Sequence, residues 1–292
     1  MIDDDPGQQP PVAAPAEASD RDHFVLAPLP WLAGASDRGH RHALNQDALA
    51  IAGRETPGRG RVAVLVVSDG VSTSLGSEVS AAVAAEVACT TLVAMLRTKP
   101  DSSVEQVEAD LVDAVAAAND AVLSTRGPGP EPGSCTLIAA VVDGNRITVG
   151  NVGDCRAYWV ADDGEAEVLS VDDSVAQARI ELGMSREEAE NGFQAHAITR
   201  WLGPNSNDSS PRLVTTEVGG AGWLLVCSDG LWNYCSPPEQ MRALVQEAAA
   251  QNHEQPTATV QMLVEWANQQ GGRDNITAAL CRVEVPSVAL TA

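Results

Sequence analysis

The chain has 292 residues, of which 44% are hydrophobic, with 40 acidic against 18 basic side chains and a formal net charge of -22. That length supplies one large core or two small ones. The acidity argues against nucleic acid and anionic membrane as partners, since both need a basic face, and a phosphate-bearing substrate would be repelled unless bound cations inverted the local field.

Residues 1–23 are rich in Pro, Ala, Gln and acid and read as a disordered tail, with the folded domain expected over 24–287. The opening Met-Ile-Asp-Asp-Asp has neither the basic nor the apolar region of a signal peptide. No uninterrupted apolar run is long enough to span a bilayer. The expectation is therefore a soluble, cytoplasmic protein. The cysteines at 89, 135, 155, 227, 235 and 281 form no Cys-x-x-Cys pair and read as reduced core residues.

Along the chain, Trp31–Ala35 and Ala48–Ile51 read as short strands around a polar loop, and Arg54–Arg61 as a hairpin connection. Val62–Val67 is a continuous β-branched run, hence a buried strand. Glu78–Leu96 is an alanine-rich helix that breaks at Lys99-Pro100, and Asp101 opens a second helix running to about Thr125. Arg126–Gly133 is a loop. Cys135–Val142 and Arg146–Asn151 flank the turn Asp143-Gly144-Asn145, and Arg156–Val160 pairs with Glu167–Ser170. Val171–Ser210 is polar and helical in patches. Leu213–Val218 and Trp223–Cys227 are strands around Gly219-Gly220. Two amphipathic helices, Pro237–Gln251 and Thr257–Gln270, precede a closing strand at Ile276–Val285. Hairpins with grouped helices predict an α+β layered domain. Neither βαβ alternation nor a P-loop is present.

Four acidic motifs punctuate this order: Asn45-Gln46-Asp47, Ser68-Asp69-Gly70, Ser228-Asp229-Gly230 and Arg273-Asp274-Asn275. Residues 64–70 and 224–230 are nearly one phrase, a buried strand ending on Ser-Asp-Gly. A lone Asp-Gly is ordinarily a turn. Carboxylates at several strand ends are instead how a fold assembles an oxygen cage for hard divalent cations.

In that order the motifs resemble the metal-dependent Ser/Thr protein phosphatases of the type 2C (PPM) class, in its bacterial branch. The resemblance runs over roughly 31–285 and includes Ser36 to Asp47, Val66 to Gly70 followed by Gly76-Ser-Glu-Val79, and Gly133-Ser-Cys-Thr136. It continues through Asn151 to Tyr158, Leu225 to Leu231 and Gly272 to Thr277. It implies a four-layer sandwich: two antiparallel β-sheets face to face, flanked by pairs of antiparallel helices. It also implies hydrolysis of phosphoserine and phosphothreonine esters by a water activated at a binuclear Mn²⁺ or Mg²⁺ centre. The implied substrates are phosphoproteins, with a bacterial Ser/Thr kinase as a further partner. By the same resemblance Asp69 bridges the two ions, the Gly70 carbonyl is a further ligand, and Asp229 and Asp274 hold the remaining metal positions. Asp47 acts mainly through metal-bound waters, and Asp154 joins Asp229 at a third, weaker ion.

The chain departs from the family pattern at several places. The family's phosphate-binding arginine falls, by spacing from Asp47, on His42, with Arg41 one residue earlier. Arg41 offers a bidentate fork, His42 offers the position, and both stand as candidates. Gln46 replaces Glu, Val71-Ser72-Thr73 replaces Met-Gly-Gly, Cys155 replaces Ser, and Asn233 stands where some relatives carry another Asp. Asp154 has an alternative reading as a turn residue after Gly153. The activity also has alternatives: a pseudophosphatase that binds phosphoproteins without turnover, or a partner-switching regulator. The presence of Asp69, Asp229 and Asp274 favours the active enzyme. Val171–Ser210 corresponds to the family's variable flap, where substrate choice is expected to reside.

Overall fold

The computed structural model describes residues 12–13, 21–56, 60–99, 102–126, 128–129 and 131–284. Four strands come first: β1 (His23–Leu29), β2 (Leu32–Asp37), β3 (Ala48–Thr56) and β4 (Gly60–Ser68). Helices α1 (Ser77–Thr98) and α2 (Val104–Leu123) follow, then β5 (Leu137–Asp143), β6 (Arg146–Val152), β7 (Arg156–Ala161) and β8 (Ala166–Val168). The short helices α3 (Val175–Glu181) and α4 (Arg186–Glu190) precede β9 (Arg212–Glu217) and β10 (Gly222–Cys227). The chain closes with α5 (Asp229–Trp232), α6 (Pro238–Gln251), α7 (Pro256–Gln269) and β11 (Ile276–Val283).

One sheet has the order β1-β2-β11-β10-β7-β8 and the other β3-β4-β5-β6-β9, and the pairings are antiparallel. The strand period of two explains how these sheets become inner layers. In β4, Val62, Val64 and Val66 pack towards α1 and α2, while Ala63, Leu65 and Val67 pack between the sheets. In β10, Trp223, Leu225 and Cys227 face α6 and α7, while Leu224 and Val226 face the other sheet. Strands covered on both faces have no polar alternation, which is why their sequences read as continuous apolar runs. Three apolar layers between four structural layers make the expected α+β sandwich.

Helix α1 is long and apolar enough, by length and composition, to cross a membrane. Its buried face, Ala81, Ala84, Ala85, Ala88, Cys89 and Leu92, instead lies in the core with β4 and α2. The i, i+3, i+4 spacing of those small side chains marks a core helix. Ser103 caps α2 by accepting from the Gln106 amide, two residues beyond the expected start at Asp101, which lies outside the described residues.

Several local expectations change. β1 was not anticipated; it pairs with β2 through a register shift between Leu26 and Leu29. Trp31–Ala35 and Ala48–Ile51 do not pair: β2 and β3 belong to different sheets. The strands around Gly219-Gly220 are likewise separated, β9 pairing with β6 and β10 with β7 and β11. Connections that read only as loops between strands are here crossings between sheets. Within the expected tail, Ala13 forms a two-hydrogen-bond bridge with Ile51 on the edge strand β3. Residues 1–11 and 14–20, the 57–59 part of the β3–β4 connection, and the chain beyond 284 lie outside the described residues.

Candidate metal centre and active site

The acidic motifs end up together because the strands that carry them finish at one rim of the sandwich. Asp69 follows β4, Asp229 follows β10, and Asp274 stands just before β11. Asp47 lies in the β2–β3 crossing and Asp154 in the β6–β7 crossing, each passing from one sheet to the other. Gly153-Asp154 is therefore a sheet-to-sheet connection rather than a hairpin turn.

The two Ser-Asp-Gly phrases explain the assembly. Gly70 donates its N–H to the Gln46 carbonyl at 3.1 Å, and a β-carbon on Gly70 would lie only 2.7 Å from that oxygen. A β-carbon on Gly230 would overlap the Asn275 carbonyl. Neither glycine has a positive φ, so their role is close backbone approach. Each lets an acidic motif loop sit against a strand end, which brings Asp47 to Asp69 and Asp274 to Asp229.

Hydroxyls and amides fix the carboxylates. Ser228 Oγ donates to Asp47 Oδ2 at 2.7 Å and accepts from the Thr277 N–H at 3.0 Å. Thr136 takes the Asp69 N–H on its Oγ1 at 3.0 Å and returns its own N–H to the Asp69 carbonyl at 2.7 Å. Asn275 Oδ1 accepts from the Gln46 N–H at 2.8 Å, tying the two flanking motifs directly. Asn233 Nδ2 donates to Asp229 Oδ2 at 2.9 Å.

Asp47, Asp69, Asp154 and Asp229 are close enough to perturb one another, with Asp274 as a further neighbouring charge. Burial, opposed by the Ser228 and Thr277 hydrogen bonds and reinforced by Asp274, raises Asp47 to about 6. Burial first, then repulsion from Asp172, raises Asp154 to about 7 against the attraction of Arg156. Asp69 and Asp229 are pushed well above the usual carboxylate range, by burial and then by the neighbouring carboxylates. Such a cluster is short of compensating positive charge.

The donor set fits Mg²⁺ or Mn²⁺, hard cations that take oxygen ligands. Asp47 Oδ1 and Asp229 Oδ1 are buried with no hydrogen-bond partner among the described residues, so acceptor capacity remains. Among the described residues no three His, Cys, Asp or Glu side chains already form a closed ligand group. Mg²⁺ ordinarily keeps several waters rather than using an all-protein cage.

Of the two candidate phosphate contacts, His42 lies against Asp274, with Nε2 3.2 Å from Oδ1. Arg41 is exposed, and its side chain has no hydrogen bond or ion pair with the described residues. A cleft of about 300 Å³ opens beside the carboxylates, lined by His196, Gly230, Asn233, Tyr234, Arg273 and Asp274. His196 is thus on its wall, its ring centroid 5.9 Å from that of Trp232.

Sequence reasoning also missed the scaffold behind Asp154. Arg156 is 3% exposed; its guanidinium binds both Asp172 carboxylate oxygens, reaches Glu190 on α4 at 3.1 Å, and stacks 3.6 Å from the Trp232 ring. Trp232 Nε1 in turn donates to the Asp154 carbonyl at 2.9 Å. Fully buried Asp173 exchanges backbone and side-chain hydrogen bonds with Gly153 and pairs with Arg200 and Arg212. On its own, Asp172-Asp173-Ser174 reads as helix capping. Ser174 does cap α3, but both acids are buried behind the site. The flap helices α3 and α4 share only a small core of Ala176, Ala189, Ala195 and Ile180.

Comparison with known proteins places this geometry. The family model for protein phosphatase 2C matches residues 34–268. The serine/threonine protein phosphatase PstP of Mycobacterium tuberculosis is 29% identical over 255 residues, covering 86% of this chain and 44% of PstP. This chain therefore spans about half the length of that relative. The solved PPM Ser-Thr phosphatase MsPP of Mycobacterium smegmatis, in complex with cacodylate, is 30% identical with a TM-score of 0.63, covering 86% of this chain and 97% of that one. The catalytic domain of PstP in complex with two manganese ions is 27% identical with a TM-score of 0.61, covering 87% of this chain and 98% of that one.

Proposed function

Since this chain belongs to the protein phosphatase 2C family, we propose that it hydrolyses phosphoserine and phosphothreonine monoesters of proteins at a binuclear Mg²⁺ or Mn²⁺ centre. The observation that carries this reading is the convergence of Asp47, Asp69, Asp154, Asp229 and Asp274 from distant sequence, with Asp47 Oδ1 and Asp229 Oδ1 still unpartnered among the described residues. When bound, the cations supply Lewis-acid activation of water and of the phosphoryl oxygens.

The chain's own residues do the rest. Asp69, Asp229 and Asp274, with the Gly70 carbonyl, would hold the two cations. Asp47 would act mainly through waters on those cations, and Asp154 with Asp229 would offer a third, weaker position. Five neighbouring carboxylates would repel a phosphate dianion, so substrate binding at this rim itself calls for cations. Arg41, exposed and unpaired among the described residues, orients the phosphate. The cleft beside Asp274 takes the flanking peptide. PstP and MsPP carry Ser/Thr phosphatase names and PstP was solved with two manganese ions, which supports both the substrate class and the metal. Purified chain should release phosphate from p-nitrophenyl phosphate and from a phosphothreonine peptide with Mn²⁺ or Mg²⁺, and stop in EDTA. Full activity in EDTA would overturn the reading.

A further inference from the structure

The Asp47 corner of the cage is gripped from behind by a residue outside the family match, which begins at residue 34. Arg21, on the segment before β1, donates from Nη2 to the Asp47 carbonyl at 2.7 Å and from Nη1 to the Glu78 carbonyl at 2.7 Å. Its own carbonyl accepts from Asn45 Nδ2 at 2.7 Å, while Asn45 Oδ1 accepts from the Asp47 N–H at 3.2 Å. The next carbonyl, of Asp22, accepts from the Arg38 N–H at 2.8 Å. Arg21 thus holds both ends of Asn45-Gln46-Asp47.

Its second anchor matters as much. Glu78 lies in the first turn of α1, the helix that follows the Asp69-Gly70 loop. One guanidinium therefore ties the segment bearing Asp47 to the helix start behind Asp69. A parallel link runs from Gln46 Nε2 to Ser77 Oγ. Both of these donors go to backbone carbonyls, and among the described residues Arg21 forms no ion pair with a carboxylate. Asp47 and Glu78 attract it at longer range. Arginine stays protonated, so a fixed positive charge sits behind the acidic cluster. Further up the chain, the Ala13–Ile51 bridge fastens the same segment to the edge of β3.

We propose that Arg21 is a positioning residue for the metal cage, fixing Asp47 against the start of α1, and that the segment carrying it is part of the catalytic unit. The proposal rests on the metal-phosphatase reading. A merely structural Arg21 would affect folding and leave the affinity of folded protein for metal untouched. A positioning Arg21 sets that affinity, as partners behind metal ligands do.

The test is calorimetric titration of the full chain with Mn²⁺, for wild type, Arg21→Gln, Arg21→Lys and, as an exposed charge control, Arg126→Gln. Arg21→Gln should weaken Mn²⁺ binding about tenfold or more. The Mn²⁺ concentration giving half-maximal p-nitrophenyl phosphate hydrolysis should rise by a similar factor. Arg21→Lys should recover part of the loss, since it keeps the charge but lacks the planar fork that reaches two carbonyls. Arg126→Gln should bind Mn²⁺ as wild type does. An Arg21→Gln protein that melts earlier yet binds Mn²⁺ with wild-type affinity overturns the proposal. Should Arg21→Gln not fold, undiminished affinity in Arg21→Lys overturns it and a several-fold loss supports it. A wild-type chain that binds no Mn²⁺ instead overturns the underlying metal reading, so the two failures are separable.

Discussion

His42 Nε2 lies 3.2 Å from Asp274 Oδ1, so the side chain at the position expected to bind phosphate is engaged with a carboxylate of the acidic cluster. Arg41 beside it is unengaged among the described residues. The two mutants should therefore separate. Arg41→Ala is expected to raise KM for a phosphothreonine peptide about tenfold or more, the worth of a charge-assisted contact, at saturating Mn²⁺. His42→Ala should chiefly change the Mn²⁺ concentration needed for activity, through Asp274. Steady-state kinetics at several Mn²⁺ concentrations decides. A KM effect confined to His42→Ala would reverse the assignment.

Metal-free protein should lose stability as pH rises. Burial with neighbouring charge lifts Asp47 to about 6 and Asp154 to about 7. A carboxyl whose pKa is higher folded than unfolded binds more protons in the folded state. Its contribution is therefore full below the unfolded value and is lost as pH climbs through the folded one. In EDTA, Tm should fall between about pH 4 and about pH 7. Saturating Mg²⁺ should remove that fall, because cations bind the ionised carboxylates. Asp69→Asn, with one charge fewer in the cluster, should show a shallower fall in EDTA and weaker Mg²⁺ binding by calorimetry. A metal-free Tm that climbed across this window would show that the cluster is not repulsive.

Gly230→Ala tests the close-approach account of the Ser-Asp-Gly phrase. The added methyl would overlap the Asn275 carbonyl, so the backbone carrying Asp229 must shift. Overpacking of this kind costs about 1–3 kcal/mol, readable in a urea melt, and Mn²⁺ affinity should drop with it. Gly219→Ala, where a β-carbon meets nothing within 4 Å, is the matched control. Equal behaviour of the two variants would mean that Gly230 is only a turn residue.

Arg156→Met should be among the most damaging single changes. It leaves the buried Asp172 carboxylate without the guanidinium that binds both its oxygens. Breaking a buried ion pair from one side costs about 3–5 kcal/mol. Arg156→Lys should rescue poorly, because the fork and the stacking on Trp232 are both lost. Chemical denaturation of the three proteins checks the order. A lysine variant as stable as wild type would mean that charge alone suffices.

Much of the chain was legible one-dimensionally. β4 and β10 announce themselves as β-branched or aliphatic runs because they are buried on both faces. α1 announces itself through its alanine-rich stretch, and α2 through its capping residues. Asp47, Asp69, Asp229 and Asp274 stand out because each falls in a short motif at a strand end. β1 did not, because His23–Leu29 is mostly half-exposed, ends near Pro30 and has no clear alternation.

The sequence by itself determined most of the strands and helices, β1 excepted, and singled out the carboxylates proposed as metal ligands, because those readings depend on neighbours within a turn or a strand. Tertiary structure alone decided that β2 and β3, and β9 and β10, part to different sheets, since antiparallel pairing is chosen by contacts across the fold. It also decided that Gly70 and Gly230 serve close approach to Gln46 and Asn275, that His42 turns to Asp274, and that Arg21 reaches back to Asp47. Those are distances between groups remote in sequence, and hydrogen bonds and Coulomb forces depend on distance, which order along the chain does not encode.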